Sequence, residues 1–351
     1  MQRKLYKLFF LFLCTPILLN AGNPDRQGEA GAYELLMNPW ARSAGLHTMT
    51  TSMVRGVEAL RLNPAGLGRI YGNTEVLIGH SRYLEGADIN MNAFGIAQKV
   101  GENGTFGLSL MSLDMGDIEV TTEDQPEGTG ALFSPNFFHL GISYAHIFEN
   151  KISVGITFRA ISESISDVSA FGFALDAGVQ YVTGPQDNFK FGISLRNIGS
   201  RMSFGGQGLS FPTQNPDGTL SFDITVNQRA AQFELPSMLN LGMSYDINVD
   251  KDNRFTVLGN FTANSFARDQ LGGGLEYSLK DMFMLRAGYK IEVGLSAERE
   301  FEQSVYSGLS AGATIEVPTK KGGDSRFGID YAYRTTSPFN GTHNISVRIS
   351  L

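Results

Sequence analysis

Every second side chain is apolar through long stretches of this chain, and no other feature of the sequence constrains its fold as tightly. In residues 151–160, Ile152, Val154, Ile156 and Phe158 alternate with Ser153, Gly155, Thr157 and Arg159. In 171–181 every odd position is Phe, Leu, Ala, Val or Tyr, with Gly172, Asp176 and Gln180 among the residues between them. Leu239, Leu241, Met243, Tyr245 and Ile247 oppose Asn240, Gly242, Ser244 and Asp246. A period of two is that of a β-strand with one apolar and one polar face, because successive side chains leave the backbone on opposite sides.

About fourteen such segments follow residue 72, at the ~10-residue scale of barrel strands. They lie near 73–84, 87–100, 104–118, 136–148, 151–166, 168–183, 188–198, 235–248, 253–266, 268–279, 282–292, 303–317, 325–336 and 342–351. One set of connections is short and turn-like (101–104, 149–150, 184–187, 250–253, 280–281, 318–325), while the other includes long excursions at 119–135, 199–234 and 293–302. Beside the short turns, Phe106, Phe189, Phe255, Phe283 and Phe327 open their strands and Tyr181, Tyr245 and Tyr277 close theirs, all on the apolar face. Amphipathic rings gathered at one rim form a girdle at lipid headgroups, whereas a soluble sandwich buries its aromatics mid-strand. Only 18% of residues are charged, yet beyond residue 21 no apolar run is long enough for a spanning helix. The expected fold is all-β: an antiparallel transmembrane β-barrel of about fourteen strands over residues 73–351.

The N-terminus directs export. Arg3, Lys4 and Lys7 precede the short apolar stretch Leu8 to Leu19, and Ala21 offers a small residue for cleavage, so residues 1–21 read as a signal peptide. The single cysteine, Cys14, leaves with it, which excludes disulfides and thiolate chemistry from the mature chain. The leader's basic residues take the net charge from −7 to about −10, a poor match to nucleic acid. Outer-membrane lipid is the expected surroundings. Residues 22–72 break the alternation but carry Leu35, Leu36, Trp40 and Leu60, apolar surface that needs cover; this stretch is expected to plug the lumen.

Motifs of catalysis dissolve on inspection. Gly308-Leu-Ser-Ala-Gly312 imitates a nucleophile elbow, but Ser310 falls mid-strand. Asp250 to Asn253 lacks the later glycine and glutamate of a calcium loop, and Gly205 to Gly208 has no strand–helix frame. The five histidines fall singly, at polar or interfacial positions. No enzyme activity, cofactor or metal is expected. Arg159, Asp176, Lys190, Arg286, Lys290, Asp330, Arg334 and Arg348 share the inward face, where mixed charges brace one another or a plug. In the loop 199–234, Phe204, Leu209, Phe211 and Phe233 make a candidate surface for a partner.

Trp40-Ala-Arg42, Ala44-Gly45-Leu46 and Asn63-Pro64-Ala65-Gly66-Leu67 just before the first strand resemble the N-terminal region of the PorV/PorQ outer-membrane proteins, themselves similar to the FadL fatty-acid channel with its fourteen strands and N-terminal hatch. Gly45-Leu46-His47 departs from the Gly-Met-Gly common in that family, and Leu351 stands where barrels usually end in an aromatic. The resemblance implies a role in the type IX secretion system. A barrel of that kind binds secreted cargo proteins by their C-terminal signal domains and docks on the translocon or the attachment complex. It carries over only the hatch motif, Arg42 and Asn63 to Leu67. The rival expectation is a FadL-like diffusion channel for hydrophobic compounds, which a polar inward face disfavours.

Overall fold

A computed structural model describes residues 23–149, 151–215, 222–295, 304–305, 307–319, 325–336 and 339–351; the leader and Asn150 lie outside them, as do parts of the 199–234, 293–302 and 318–325 connections. Fourteen antiparallel strands close into a barrel. They are β1 (Thr74–Tyr83), β2 (Ile89–Val100), β3 (Gly104–Asp114), β4 (Asn136–Phe148), β5 (Ile152–Ile165), β6 (Val168–Thr183) and β7 (Phe189–Gly199), then β8 (Met238–Asn248), β9 (Asn253–Asn264), β10 (Gln270–Leu279), β11 (Phe283–Glu292), β12 (Gly308–Pro318), β13 (Arg326–Arg334) and β14 (Thr342–Ser350). Each strand pairs with its neighbours in sequence, and β1 pairs with β14, so no edge is left open.

The period of two becomes an outside and an inside. In β5, Ile156 and Phe158 are 50% and 46% exposed while Thr157 and Arg159 are fully buried. A solvent-accessible wall of Ile, Leu, Val and Phe around the whole circumference is unfavourable in water and suited to hydrocarbon. The girdle residues stand on this outer face at the rim of the short turns, where Phe106 meets Tyr144 and Phe255 meets Tyr277, each pair with ring centroids 4.9 Å apart. Tight turns use left-handed backbone: Lys280 and Asp281 have φ of 56° and 51°, the geometry that matches the twist of a two-residue hairpin. Asp250 accepts from the backbone N–H groups of Asp252 and Asn253 at 2.8 and 2.7 Å, an Asx-type turn rather than a metal loop.

Residues 30–70 are largely buried within the barrel and include the short helical pieces Tyr33–Leu36, Ala41–Ala44, Gly56–Glu58, Ala59–Leu62 and Pro64–Arg69, while residues 23–29 are mostly exposed. Trp40, Val57, Leu60 and Leu67 are fully buried against Leu77, Met91, Met111 and Leu113 of β1–β3. That sector of the wall turns Leu77, Met91, Met111 and Leu113 inward among Glu75, Ser81, Thr105 and Ser109, so the inward side is not uniformly polar as the alternation alone suggests. The plug therefore has an oily side and, toward β12–β14, a charged one.

Candidate functional site

The hatch motif is where plug and wall approach most closely. Asn63 caps the turn Pro64–Arg69 by accepting from the Ala65 N–H, and its amide donates to the carbonyl oxygens of Thr51 (2.8 Å) and Val179 (3.3 Å). Beneath it sit Gly155 of β5 and Gly178 of β6, register partners that both face inward. A Cβ on Gly155 would overlap the Pro64 backbone, and one on Gly178 would overlap the Asn63 side chain. Gly192 and Gly242, paired across β7 and β8, receive Thr51 and Ser52 in the same way. Part of the chain's large glycine content thus serves as a seat for the plug.

Charges lock the plug on its other side. Arg42 donates to Glu316 (2.5 Å) and Asp330 (3.2 Å), and Arg348 reaches both the plug's Glu58 (3.1 Å) and Asp330 (3.3 Å). Arg159 is paired with Asp176 at 2.7 Å and donates to the Leu60 carbonyl oxygen at 3.2 Å, tying β5 and β6 to the plug. Arg286 binds Glu276 at 2.7 Å within the wall, and Lys190 binds Asp246 at 2.5 Å. Of the inward charges expected from the alternation, Arg334 and Lys290 line a cavity. Glu276 and Glu316 share the inward parity and were legible by the same rule. Asn197 was not: a register shift at Leu175/Ala177 turns it inward, where its backbone N–H donates to Asp176 at 2.7 Å.

Two histidines depart from expectation. His139 is buried and hydrogen-bonded to Glu34 (3.0 Å) and Arg61 (3.2 Å), and His47 is 1% exposed inside the plug, so neither is interfacial. Burial, with Lys290 and Arg334 nearby, lowers the His47 pKa to about 2 and keeps its imidazole neutral. Ser310 is also inside, its hydroxyl donating to the Gly45 carbonyl oxygen at 3.2 Å, a contact with the plug and not a nucleophile's setting.

Two cavities flank the plug along β8–β11. One of about 350 Å³ opens at the end of the long loops, between the plug's first turns and Asn240, Thr262, Gln270 and Lys290. A second of about 260 Å³ opens at the short-turn end, lined by Thr256, Glu276 and Met284 of the same strands. Thr48 of the plug borders the first, while Leu46 and Thr50 border the second. The partition is the segment Leu46–Thr51, with Leu46 and Met49 set on Leu258 and against Gly272, Gly274 and Gly288. Within it His47 and Thr48 hold φ of 52° and 63°, a left-handed conformation costly for a β-branched residue.

The candidate partner loop divides in two. Phe204 and Phe233 stack at 5.8 Å and cover Ile161, Ala170, Met202 and the plug's Leu35, so they close the barrel mouth. Phe211 belongs to a small strand pair (Ser210–Gln214 with Asp223–Asn227) and is 49% exposed opposite Val226, with Leu209 half-buried at its base.

No family model matches the sequence, and no curated protein matches it. Solved structures do share its fold. The Ralstonia pickettii toluene transporter TbuX is 12% identical, with a TM-score of 0.55 covering 88% of this chain and 97% of the transporter. The CymD monoaromatic hydrocarbon channel is 14% identical, with a TM-score of 0.53 covering 89% and 96%. A Pseudomonas aeruginosa FadL homologue is 11% identical, with a TM-score of 0.51 covering 89% and 98%. None of these is a PorV or PorQ protein, and at such identities the likeness is one of architecture: the chain has the plugged-barrel fold of the FadL-like channels.

Proposed function

We propose that this protein is an outer-membrane transport barrel whose plug meters the passage of a small solute from the long-loop end to the short-turn end. The observation that carries this reading is the pair of cavities along β8–β11, with the segment Leu46–Thr51 contributing Thr48 to one and Leu46 and Thr50 to the other. Leu46 and Met49 are unbranched at Cβ and rest on glycines, so rotamer changes there cost little and join the two spaces. The likeness to hydrocarbon channels supports the same reading over a purely structural barrel. The test is uptake of a labelled small aromatic by cells whose outer membrane carries the barrel. The intact protein is expected to give saturable uptake and Met49→Ala a faster one; uptake equal to that of cells without the barrel, for both proteins, overturns the reading.

A second reading draws on the exposed strand pair within 210–227, where Phe211, Phe222 and Val226 present apolar surface outside the barrel. It is the cargo-docking role in type IX secretion that the hatch motif's resemblance implies. Purification from native membranes is expected to bring translocon or attachment proteins with the barrel, and Phe211→Ser to reduce their yield. A barrel recovered without them under conditions that preserve such complexes removes this reading.

A further inference from the structure

Among the buried lysines and arginines of the described residues, Lys290 stands apart: it is 7% exposed and makes no hydrogen bond or ion pair with the described residues. Its ammonium belongs to the outer cavity, which it lines with Arg196, Arg268 and Arg334 and, among the described residues, a single carboxylate, Glu292. Glu292 is already engaged, accepting from the Ser304 N–H at 3.1 Å. Arg196 donates to the Leu35 carbonyl oxygen (3.2 Å) and the Met238 sulfur (3.6 Å), forms no ion pair among the described residues, and keeps a buried Nε without a hydrogen-bond partner there. Glu292 lies close enough to act on the Lys290 ammonium through space but makes no ion pair with it; a buried ammonium without a direct partner is disfavoured, and a ligand anion in the cavity would supply one.

The rest of the lining is different in character. Tyr33, Leu36, Met238 and Phe266 give it rings and aliphatic surface, and the Arg26 guanidinium lies over the Phe266 ring at 4.2 Å. At about 350 Å³ the space falls at the small end of the ~300–1,000 Å³ typical of small-molecule sites. We propose that the outer cavity binds a small organic oxyanion, its carboxylate or phosphate on Lys290 and Arg196 and its apolar body against Leu36, Met238 and Phe266. This names the solute class of the transport reading and rests on that reading only for what happens after binding.

Binding is tested on the full barrel in detergent by calorimetry, with benzoate, phenyl phosphate, inorganic phosphate and the neutral benzyl alcohol as probes. Benzoate or phenyl phosphate is expected to bind at least tenfold more tightly than benzyl alcohol. Lys290→Met is expected to erase that preference while raising the thermal midpoint, because it deletes a buried charge that has no direct partner; Lys290→Arg is expected to retain it within about threefold. Which of the two organic anions binds more tightly identifies the head group. Equal affinity for benzyl alcohol, no loss in Lys290→Met, or inorganic phosphate binding as tightly as the organic anions overturns the proposal. Saturable uptake of a neutral aromatic with no anion binding leaves transport standing and removes this site. Anion binding without uptake does the reverse.

Discussion

At the scale of single residues, Asn63 does more than its neighbours because one amide satisfies three backbone groups at once. Asn63→Ala removes the cap on Pro64–Arg69 and both wall and plug contacts, leaving the Thr51 carbonyl oxygen with the Gln180 amide (3.1 Å) as its remaining side-chain donor. A loss of about 2–3 kcal/mol is expected, read as a lower urea midpoint in detergent. Arg159 and Asp176 make the complementary case. Arg159→Met alone strands a buried carboxylate and is expected to cost roughly 3–5 kcal/mol, whereas Arg159→Met with Asp176→Leu is expected to recover most of that loss. Parity along a strand is enough to place both of these charges inside. It is silent about Gly155 and Gly178, since a glycine has no face to declare; only the position of Asn63-Pro64 shows why a side chain is excluded there.

Among elements, strands were legible and the connections between them were not. The strand boundaries follow the alternation to within a few residues, since lipid on one side and a plug on the other impose opposite chemistry on adjacent positions. Phe158, 46% exposed and stacked on Phe173 at 5.1 Å, lies well inside that lipid-facing band. Phe158→Arg is expected to disfavour insertion into liposomes by about 2–4 kcal/mol, and Phe106→Arg at the rim by no more than about 1, measured as folded fraction against urea. In the β1–β3 wall several inward residues, Leu77, Met91, Met111 and Leu113, are apolar as well, which weakens the contrast that reports facing. Loops follow no period. Glu234 illustrates what they hide: it joins Arg201 (2.6 Å) at the mouth to Arg26 (3.3 Å) at the start of the plug. Hydrogen bonding to Arg201, then Arg26, lowers its carboxyl pKa below the ordinary value. The clamp is therefore complete above the ordinary glutamate range and is lost as pH falls through the lowered value. Hydrogen exchange at residues 24–31 is expected to quicken across that acid range, and Glu234→Gln to quicken it at neutral pH. Equal exchange in both proteins at neutral pH removes the clamp.

For the molecule as a whole, wall and plug are one cooperative body. Apolar contact to β1–β3, glycine seats on β5–β8 and ion pairs to β12–β14 hold the plug around most of its circumference, and the β8–β11 sector retains open space. Plug amides around Asn63 are accordingly expected to exchange as slowly as those of the central strands, while the partition at Leu46–Thr51 exchanges faster. Barrel closure was readable from pattern. The cavity that Lys290 lines was not, because a lone inward lysine looks the same in sequence whether a carboxylate awaits it or not.

The closing seam has a consequence for the plug. Asn73 and Thr74, where the plug leaves for the wall, both donate to the Leu351 carbonyl oxygen beside β14, at 2.7 and 3.0 Å. The clasp that shuts the cylinder is thus also the plug's tether. Cylinder closure and the seating of the plug's last residues therefore share one acceptor, so a change that frees the Leu351 carbonyl oxygen is expected to loosen the seam and the plug's exit together.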